Sequence, residues 1–374
     1  MKVLITGGHF SPARAVMHAF PKSVQIVYVG RKHALEKDSA LSLEYTLLQK
    51  EGVPFREIQP GRFHRLLYRN TPLSLYKIIR GFFQAWAIVN EEKPDVILSF
   101  GGYVALPICV IGFLKNIPIV LHDQTFETGL TNQLLSYVAT KVCLSWKSSV
   151  KYFQKGKTIV TGNPNLAEIF SYRAQEGKKH PLTILVTGGN SGSHRINVYI
   201  EHSLKELLSI ATVIHQTGDA QEFKDYDRLT KLVSSFPPEL QKKYHIQKFF
   251  TPEELHMHEA TADLVISRAG ANTVGELAIL EKPSLMVPIP HTQRDEQKKN
   301  AQFLKNAGLA VVIDQETVTD EQFLATVHDM IKHNEDYTLK DSFKAEIDTH
   351  QEAAAHVAKI TQQAASREKT KEVS

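Results

Sequence analysis

Leu182-Thr183-Ile184-Leu185-Val186-Thr187-Gly188-Gly189-Asn190-Ser191-Gly192-Ser193 joins an apolar run to a loop holding three glycines. An apolar run without polar alternation reads as a strand buried on both faces, the kind found in parallel sheets covered by helices. Glycines after such a strand let the backbone approach a ligand closely, and the free N–H groups of the helix that follows favour an anion. The same arrangement occurs twice more. Lys2-Val3-Leu4-Ile5 runs into Thr6-Gly7-Gly8-His9, and the run 95–99 into Phe100-Gly101-Gly102-Tyr103. Further strands are predicted at 24–29, 118–121 and 157–160, then at 210–215, 263–267, 284–288 and 309–313, separated by segments of helical length. This alternation predicts an α/β chain of two doubly wound, Rossmann-like domains with parallel sheets and a cleft between them.

The length of 374 residues suits two domains. The expected division is an N-terminal domain over 1–163, a linker over 164–181 ending in Gly177-Lys178-Lys179-His180-Pro181, and a C-terminal domain over 182–365. Residues 350–365 are Ala-rich and helical, and 366–374 read as a disordered tail. A formal net charge of +4 gives no global case for nucleic acid. The two cysteines, Cys109 and Cys143, sit in apolar segments and exclude a disulfide framework. The N-terminus lacks the pattern of a signal peptide, and the longest apolar run, 104–114, is too short to span a bilayer. A cytoplasmic protein is expected, with membrane contact from one face left open.

The loop 188–193 is the best phosphate candidate, because Asn190, Ser191 and Ser193 accompany its glycines. It is neither a Walker loop nor a G-x-G-x-x-G dinucleotide fingerprint, which argues against a nicotinamide-dependent oxidoreductase. A second anion-ready turn is Ser267-Arg268-Ala269-Gly270-Ala271-Asn272-Thr273-Val274-Gly275-Glu276, with a helix beginning near Asn272 or Thr273. Glu276 then falls in the first helical turn. Two readings stand side by side: an acid that caps the helix, or a carboxylate that accepts both hydroxyls of a ribose.

Thr6-Gly7-Gly8-His9-Phe10-Ser11-Pro12-Ala13, Gly101-Gly102-Tyr103-Val104, Gly129-Leu130-Thr131-Asn132, Thr161-Gly162-Asn163-Pro164, the loop from Gly188 through Asn197, and Ser267 through Glu276 occur in this order. In order and spacing they resemble the MurG family of GT-B glycosyltransferases, over roughly residues 1–330. The resemblance implies transfer of GlcNAc from UDP-GlcNAc to the C4 hydroxyl of MurNAc in undecaprenyl-pyrophosphoryl-MurNAc-pentapeptide. That reaction proceeds with inversion, without a cofactor or an essential metal, and yields the lipid-linked disaccharide precursor of peptidoglycan.

Carried over residue by residue, the resemblance implies that Glu276 holds the ribose and that the backbone of Phe250 meets uracil. It sets Gly188, Gly189, Asn190, Ser191 and Gly192 with Arg268, Ala271, Asn272, Thr273 and Val274 around the diphosphate. Gln297, Thr6, Gly7, Gly8 and Thr125 would lie near the donor sugar. His9, Gly101, Gly102 and Tyr103 would line the acceptor site. A histidine titrates in the range a general base needs, so His9 is the candidate base, with Asp123 the alternative. A loop histidine also serves as a plain hydrogen-bonding cap.

Several positions depart from the family pattern. Leu4-Ile5 replace the first glycines of a longer glycine run. His122-Asp123-Gln124-Thr125 stands for His-Glu-Gln-Asn, so Thr125 lacks an amide. Asn165-Leu166 replaces Val-Arg and removes a diphosphate arginine; Asn190 and His194 stand where serine and arginine are usual. Arg195 or Arg268 could substitute in part. These changes motivate two alternatives, a related transferase with another lipid or glycan acceptor, and a protein that binds UDP-sugar or lipid precursor without turnover.

Tyr76, Ile79, Phe82 or Phe83, and Trp86 recur at helical spacing, interleaved with Arg65, Arg69, Lys77 and Arg80. An aromatic stripe ordinarily faces the core. The resemblance favours the other reading, a basic-rimmed patch made of Tyr76, Ile79, Arg80, Phe82, Phe83 and Trp86 that rests on an anionic membrane. The expected location is the cytoplasmic face of the membrane, as a peripheral protein.

Overall fold

The computed structural model describes residues 1–33, 41–61, 71–173, 181–189, 192–292 and 295–372. Asn190, Ser191, Arg65 and Arg69, and the linker stretch 174–180, lie outside them. The chain divides into two compact units, one of residues 1–167 with 349–374, the other of 168–348.

The first unit holds the strands β1 (Lys2–Thr6), β2 (Gln25–Gly30), β3 (Phe55–Glu57), β4 (Val96–Ser99), β5 (Ile119–Asp123), β6 (Lys141–Leu144) and β7 (Thr158–Val160). All pair in parallel, in the order β3-β2-β1-β4-β5-β6-β7. Successive side chains point to opposite faces of a sheet. Leu4, Val27 and Ile97 accordingly join one apolar layer, and Val3, Ile5, Val96 and Leu98 the other. Both faces are covered, which is why these strands read as continuous apolar runs.

The second unit holds β8 (Thr183–Thr187), β9 (Thr212–Gln216), β10 (Tyr244–Gln247), β11 (Leu264–Ser267), β12 (Ser284–Met286) and β13 (Ala310–Val312). Its order, β10-β9-β8-β11-β12-β13, repeats that of the first unit. The expectation of two doubly wound parallel sheets therefore holds. In each sheet the strand order reverses beside the first strand, between β1 and β4 and between β8 and β11. Ligands of doubly wound sheets bind at such switch points, outside the carboxyl ends of the strands.

Three strands had no sequence signal. β3 and β10 lie at sheet edges and mix polar with apolar residues, as in Phe55-Arg56-Glu57 and Tyr244-His245-Ile246-Gln247. β6, Lys141–Leu144, lies inside the sheet and is not among the predicted runs. The expected extent of the second domain, 182–365, also needs correction. The helix Ala353–Glu372 packs on the first unit, where Val357, Ala358, Ala364 and Ala365 join the layer of Val3, Ile5 and Val16. Small side chains announce a helix without saying which sheet it covers. This helix also runs to Glu372, so most of the expected tail 366–374 is helical.

No helix among the described residues is long and apolar enough to cross a membrane. The helix Thr71–Glu92 shows two faces. Ala85, Ile88 and Val89 are buried and Phe82 packs on the core, while Tyr76, Ile79, Phe83 and Trp86 are exposed. The stripe is thus not a core face, and Phe82 is removed from it. Arg80 is exposed beside it.

Candidate functional site

At the β1/β4 switch point the strand-end loops are stitched together. Phe100 N–H donates to the Thr6 carbonyl (2.7 Å) and Gly8 N–H to the Gly101 carbonyl (2.9 Å). Gly7, at φ +148°, passes so near that an added Cβ would lie 2.8 Å from the Phe100 backbone. The loop therefore demands glycine for the crossing itself. Gly102 N–H donates to Asn132 Oδ1 (3.2 Å), and Asn132 Nδ2 to Asp123 Oδ2 (3.0 Å). Thr125 donates to Asp123 Oδ1 through both its backbone N–H (2.9 Å) and its hydroxyl (2.7 Å). Both Asp123 oxygens are engaged in holding these loops. That makes Asp123 a scaffold for the site.

His9 ends the first loop and contacts Gln124 Nε2 through Nδ1 (2.8 Å). Burial holds its pKa below the ordinary histidine value, and the nearby Asp123 charge partly opposes this. The ring is thus neutral near pH 7, as a base must be. The Gln124 amide fixes the tautomer. With Nε2 toward the ring, Nδ1 accepts and the imidazole proton sits on its own Nε2. With the amide turned over, Oε1, otherwise buried without a partner, accepts from Nδ1–H and leaves the ring Nε2 lone pair free. The second arrangement is competent for general-base chemistry. Tyr103, half-buried, lies under the Arg31 guanidinium at 5.8 Å from the ring centre. His122 is fully buried and lowered to about 4 by burial, so it stays neutral and structural.

At the β8/β11 switch point the two phosphate-ready loops flank the reversal. Ahead of the helix His194–Ile210, Gly192 N–H donates to the Gly189 carbonyl (3.0 Å) and Gly189 N–H to Thr187 Oγ1 (3.1 Å). Ser193 caps that helix by accepting from Ile196 N–H. Gly192 has φ +74°, and an added Cβ would fall 2.1 Å from the Thr217 carbonyl oxygen. After β11 the helix begins at Ala271, one or two residues before the expected start at Asn272 or Thr273, with Gly270 as N-cap and no side-chain cap. Glu276 is therefore the sixth helical residue, in the second turn, and the capping reading is excluded. Its carboxylate is nearly buried, with His256 Nε2 3.7 Å away. The first-turn N–H groups at Ala271, Asn272 and Thr273 have no side-chain cap, and helix starts of this kind favour anions.

Gln216, which the sequence did not single out, ties this half together. Its Nε2 donates to the Gly189 carbonyl (3.1 Å), and its Oε1 accepts from Phe250 N–H (2.8 Å). The Phe250 N–H is thus taken. Gln297 likewise spends Oε1 on Ile289 N–H (3.0 Å) and keeps its amide N–H groups.

The two arginines that could replace a missing phosphate contact each make contacts within the second unit, and Arg268 Nε is buried without a partner. Arg268 Nη1 donates to the Val287 carbonyl (2.8 Å) and Gln315 Oε1 (2.7 Å), and burial lowers its pKa to about 10. Arg195 donates to the Tyr199 hydroxyl (3.0 Å) and the Gln315 carbonyl (3.3 Å). His194 pairs with Asp225 (2.8 Å) and stacks on Phe223.

The apolar stripe on Thr71–Glu92 is part of a wider surface of the first unit. The helices Thr71–Glu92, Gly102–Leu114 and Leu130–Val138 pack side by side. They expose Phe113 and Leu114 on the second, and Leu130, Leu134 and Tyr137 on the third. Lys115 Nζ lies 4.3 Å from the Trp86 ring centre.

Comparison with known proteins follows the same division. Residues 6–144 match the Glycosyltransferase family 28 N-terminal domain and residues 183–359 its C-terminal domain. A curated protein of Clostridium tetani is 30% identical over 93% of this chain and 95% of its own length. It is named a UDP-N-acetylglucosamine--N-acetylmuramyl-(pentapeptide) pyrophosphoryl-undecaprenol N-acetylglucosamine transferase. The crystal structure of Acinetobacter baumannii MurG superposes with a TM-score of 0.73 at 26% identity, covering 97% of this chain and 99% of that one. A UDP-GlcNAc 2-epimerase from Neisseria meningitidis, solved with UDP-GlcNAc, shares the fold at a TM-score of 0.64 and 13% identity over 97% of this chain and 99% of that one.

Proposed function

We infer, for a chain that belongs to the MurG family within glycosyltransferase family 28, that it transfers GlcNAc from UDP-GlcNAc to the MurNAc C4 hydroxyl of a lipid-linked MurNAc-pentapeptide. The observation that carries the donor half is the pairing of an uncapped helix start at Ala271 with the glycine loop Gly188–Gly192 across one switch point. In this reading the diphosphate lies on those N–H groups, Glu276 accepts the ribose hydroxyls, and the Phe250 carbonyl meets uracil. Gln297 turns its amide to the sugar.

The acceptor oxygen attacks the sugar C1 while the bond from C1 to the β-phosphate oxygen breaks, which inverts the anomeric centre. The acceptor proton passes to His9 Nε2, in the tautomer that Gln124 Oε1 supports. The charge that develops on the leaving UDP falls on fixed backbone dipoles, which need no reorganisation in the transition state. Asp123 positions Thr125 and Asn132, and the base role is assigned to His9.

Attachment to the membrane is the third part of the reading. Tyr76, Ile79, Phe83 and Trp86, with Arg80, Lys77 and Lys115 around them, suit a bilayer interface that carries anionic lipid and the lipid-linked acceptor. The protein is accordingly a peripheral one on the cytoplasmic leaflet.

The test is turnover of the full chain with UDP-GlcNAc, UDP-GalNAc and UDP-glucose against lipid-linked MurNAc-pentapeptide, followed by mass spectrometry of the lipid. A lipid-linked disaccharide with UDP-GlcNAc as preferred donor is expected. Transfer to a different lipid or glycan alone would replace the acceptor assignment. Absence of transfer to any acceptor, with UDP still bound, would leave a non-catalytic binding protein.

A further inference from the structure

Glu259 lies on the helix Pro252–Thr261, is fully buried, and has no hydrogen-bond partner at either carboxylate oxygen. A buried carboxyl without donors is costly, by several kcal/mol if ionised. Its surroundings do not relieve it. Glu276 on the neighbouring helix Ala271–Ile279 adds a second carboxylate, and burial with that like charge pushes the Glu259 pKa well up. Among the described residues no lysine or arginine pairs with either acid. One oxygen of each acid lies within 4.8 Å of the other.

His256 completes the group. It stands three residues before Glu259, on the same face of its helix. One ligand atom from each of His256, Glu259 and Glu276 lies within 4.8 Å of the others, and His256 Nε2 is 3.7 Å from Glu276 Oε1. An ion with bonds of about 2.0–2.2 Å to nitrogen and oxygen holds neighbouring ligand atoms about 3–4 Å apart. Shifts below about 1 Å at the widest pair therefore close the shell. The ring of Tyr172 packs edge-on against His256 at 5.7 Å and covers the histidine side.

We propose that His256, Glu259 and Glu276 form a binding site for one divalent first-row transition ion of the zinc class. A neutral imidazole with two carboxylates supplies the two negative charges such an ion balances, and nitrogen–oxygen donor sets suit this class. Binding gives the orphaned oxygens of Glu259 their partner. It also takes the Glu276 carboxylate from a ribose, so the ion acts as an inhibitor of nucleotide binding. That last consequence rests on the ribose reading of Glu276; the site does not.

The experiment uses the full chain freed of metal by a chelator. Co²⁺ is titrated by its visible absorption and Zn²⁺ by calorimetry, in wild type and in Glu259→Gln and His256→Gln. One ion per chain at micromolar or tighter Kd is expected, with at least tenfold weakening in each variant and displacement of Co²⁺ by Zn²⁺. Circular dichroism identifies any variant that fails to fold. Wild-type protein gives an independent reading, since calorimetry in buffers of different ionisation enthalpy should show a proton released as Glu259 binds the ion. No stoichiometric binding by wild type, or unchanged affinity in both folded variants, overturns the site. Binding that leaves the Kd for UDP unchanged upholds the site and overturns the ribose role of Glu276.

Discussion

Replacing Phe83 by alanine isolates the membrane claim, because its ring contributes little to the fold. It is 72% exposed, whereas the neighbouring Phe82 packs on the core. Fully burying such a side chain is worth about 3 kcal/mol at the upper end. Scaled by the exposed fraction, insertion of Phe83 into an interface contributes about 2 kcal/mol. At 1.4 kcal/mol per decade, Phe83→Ala should lower the partition coefficient about 30-fold, with little change in the melting temperature. Cosedimentation with vesicles of neutral lipid containing an anionic fraction measures this directly. Phe82→Ala serves as the contrast: it should lower stability by core truncation while leaving the exposed stripe in place. Equal binding by Phe83→Ala and wild type, at low salt and at high, would refute the assignment of this helix to the bilayer.

Three further outcomes follow from the geometry. Glu276→Gln should weaken UDP about 10- to 150-fold, the loss of about 1.5–3 kcal/mol expected when hydrogen bonds to a charged acceptor are removed, measured by calorimetry. Gly192→Ala should cost about 1–3 kcal/mol in chemical unfolding and abolish measurable UDP binding, since φ +74° and the Thr217 carbonyl leave no room for a Cβ. The third concerns acid. His122, His215 and His350 are buried, and burial lowers them to about 4, 3 and 3. The unfolded chain binds their protons near pH 6.5 and the folded chain does not, so stability is intact above 6.5 and falls as pH drops toward 4. Each histidine withdraws up to about 1.4 kcal/mol per pH unit in that window. His122→Asn should reduce the fall of the urea midpoint between pH 6.5 and 5, with His215 and His350 keeping their share.

What the sequence revealed divides by the kind of signal involved. Most strands, though not the interior β6, announced themselves as apolar runs, and the glycine loops did so because they end such strands. The path of Ala353–Glu372 back to the first unit depends on long-range packing, which local composition does not encode. Glu276 was found as a residue, but its two meanings separated only when the helix start moved to Ala271. Gln216 and Glu259 passed unnoticed, since an isolated glutamine and a glutamate among other charges carry no pattern. Their importance comes from neighbours distant in sequence. Arg195 and Arg268 show the converse, cations that sequence position recommended for phosphate and that fold into contacts with Gln315.

The central claim is that the nucleotide sits on the β8/β11 switch point of the second unit. Hydrogen–deuterium exchange of the full chain with and without saturating UDP tests it most directly. Slowed exchange is predicted in peptides covering 187–197, 249–252 and 269–277, with residues 6–13 and 100–104 unchanged. Protection at residues 6–13 and 100–104 in place of the second-unit loops would contradict it.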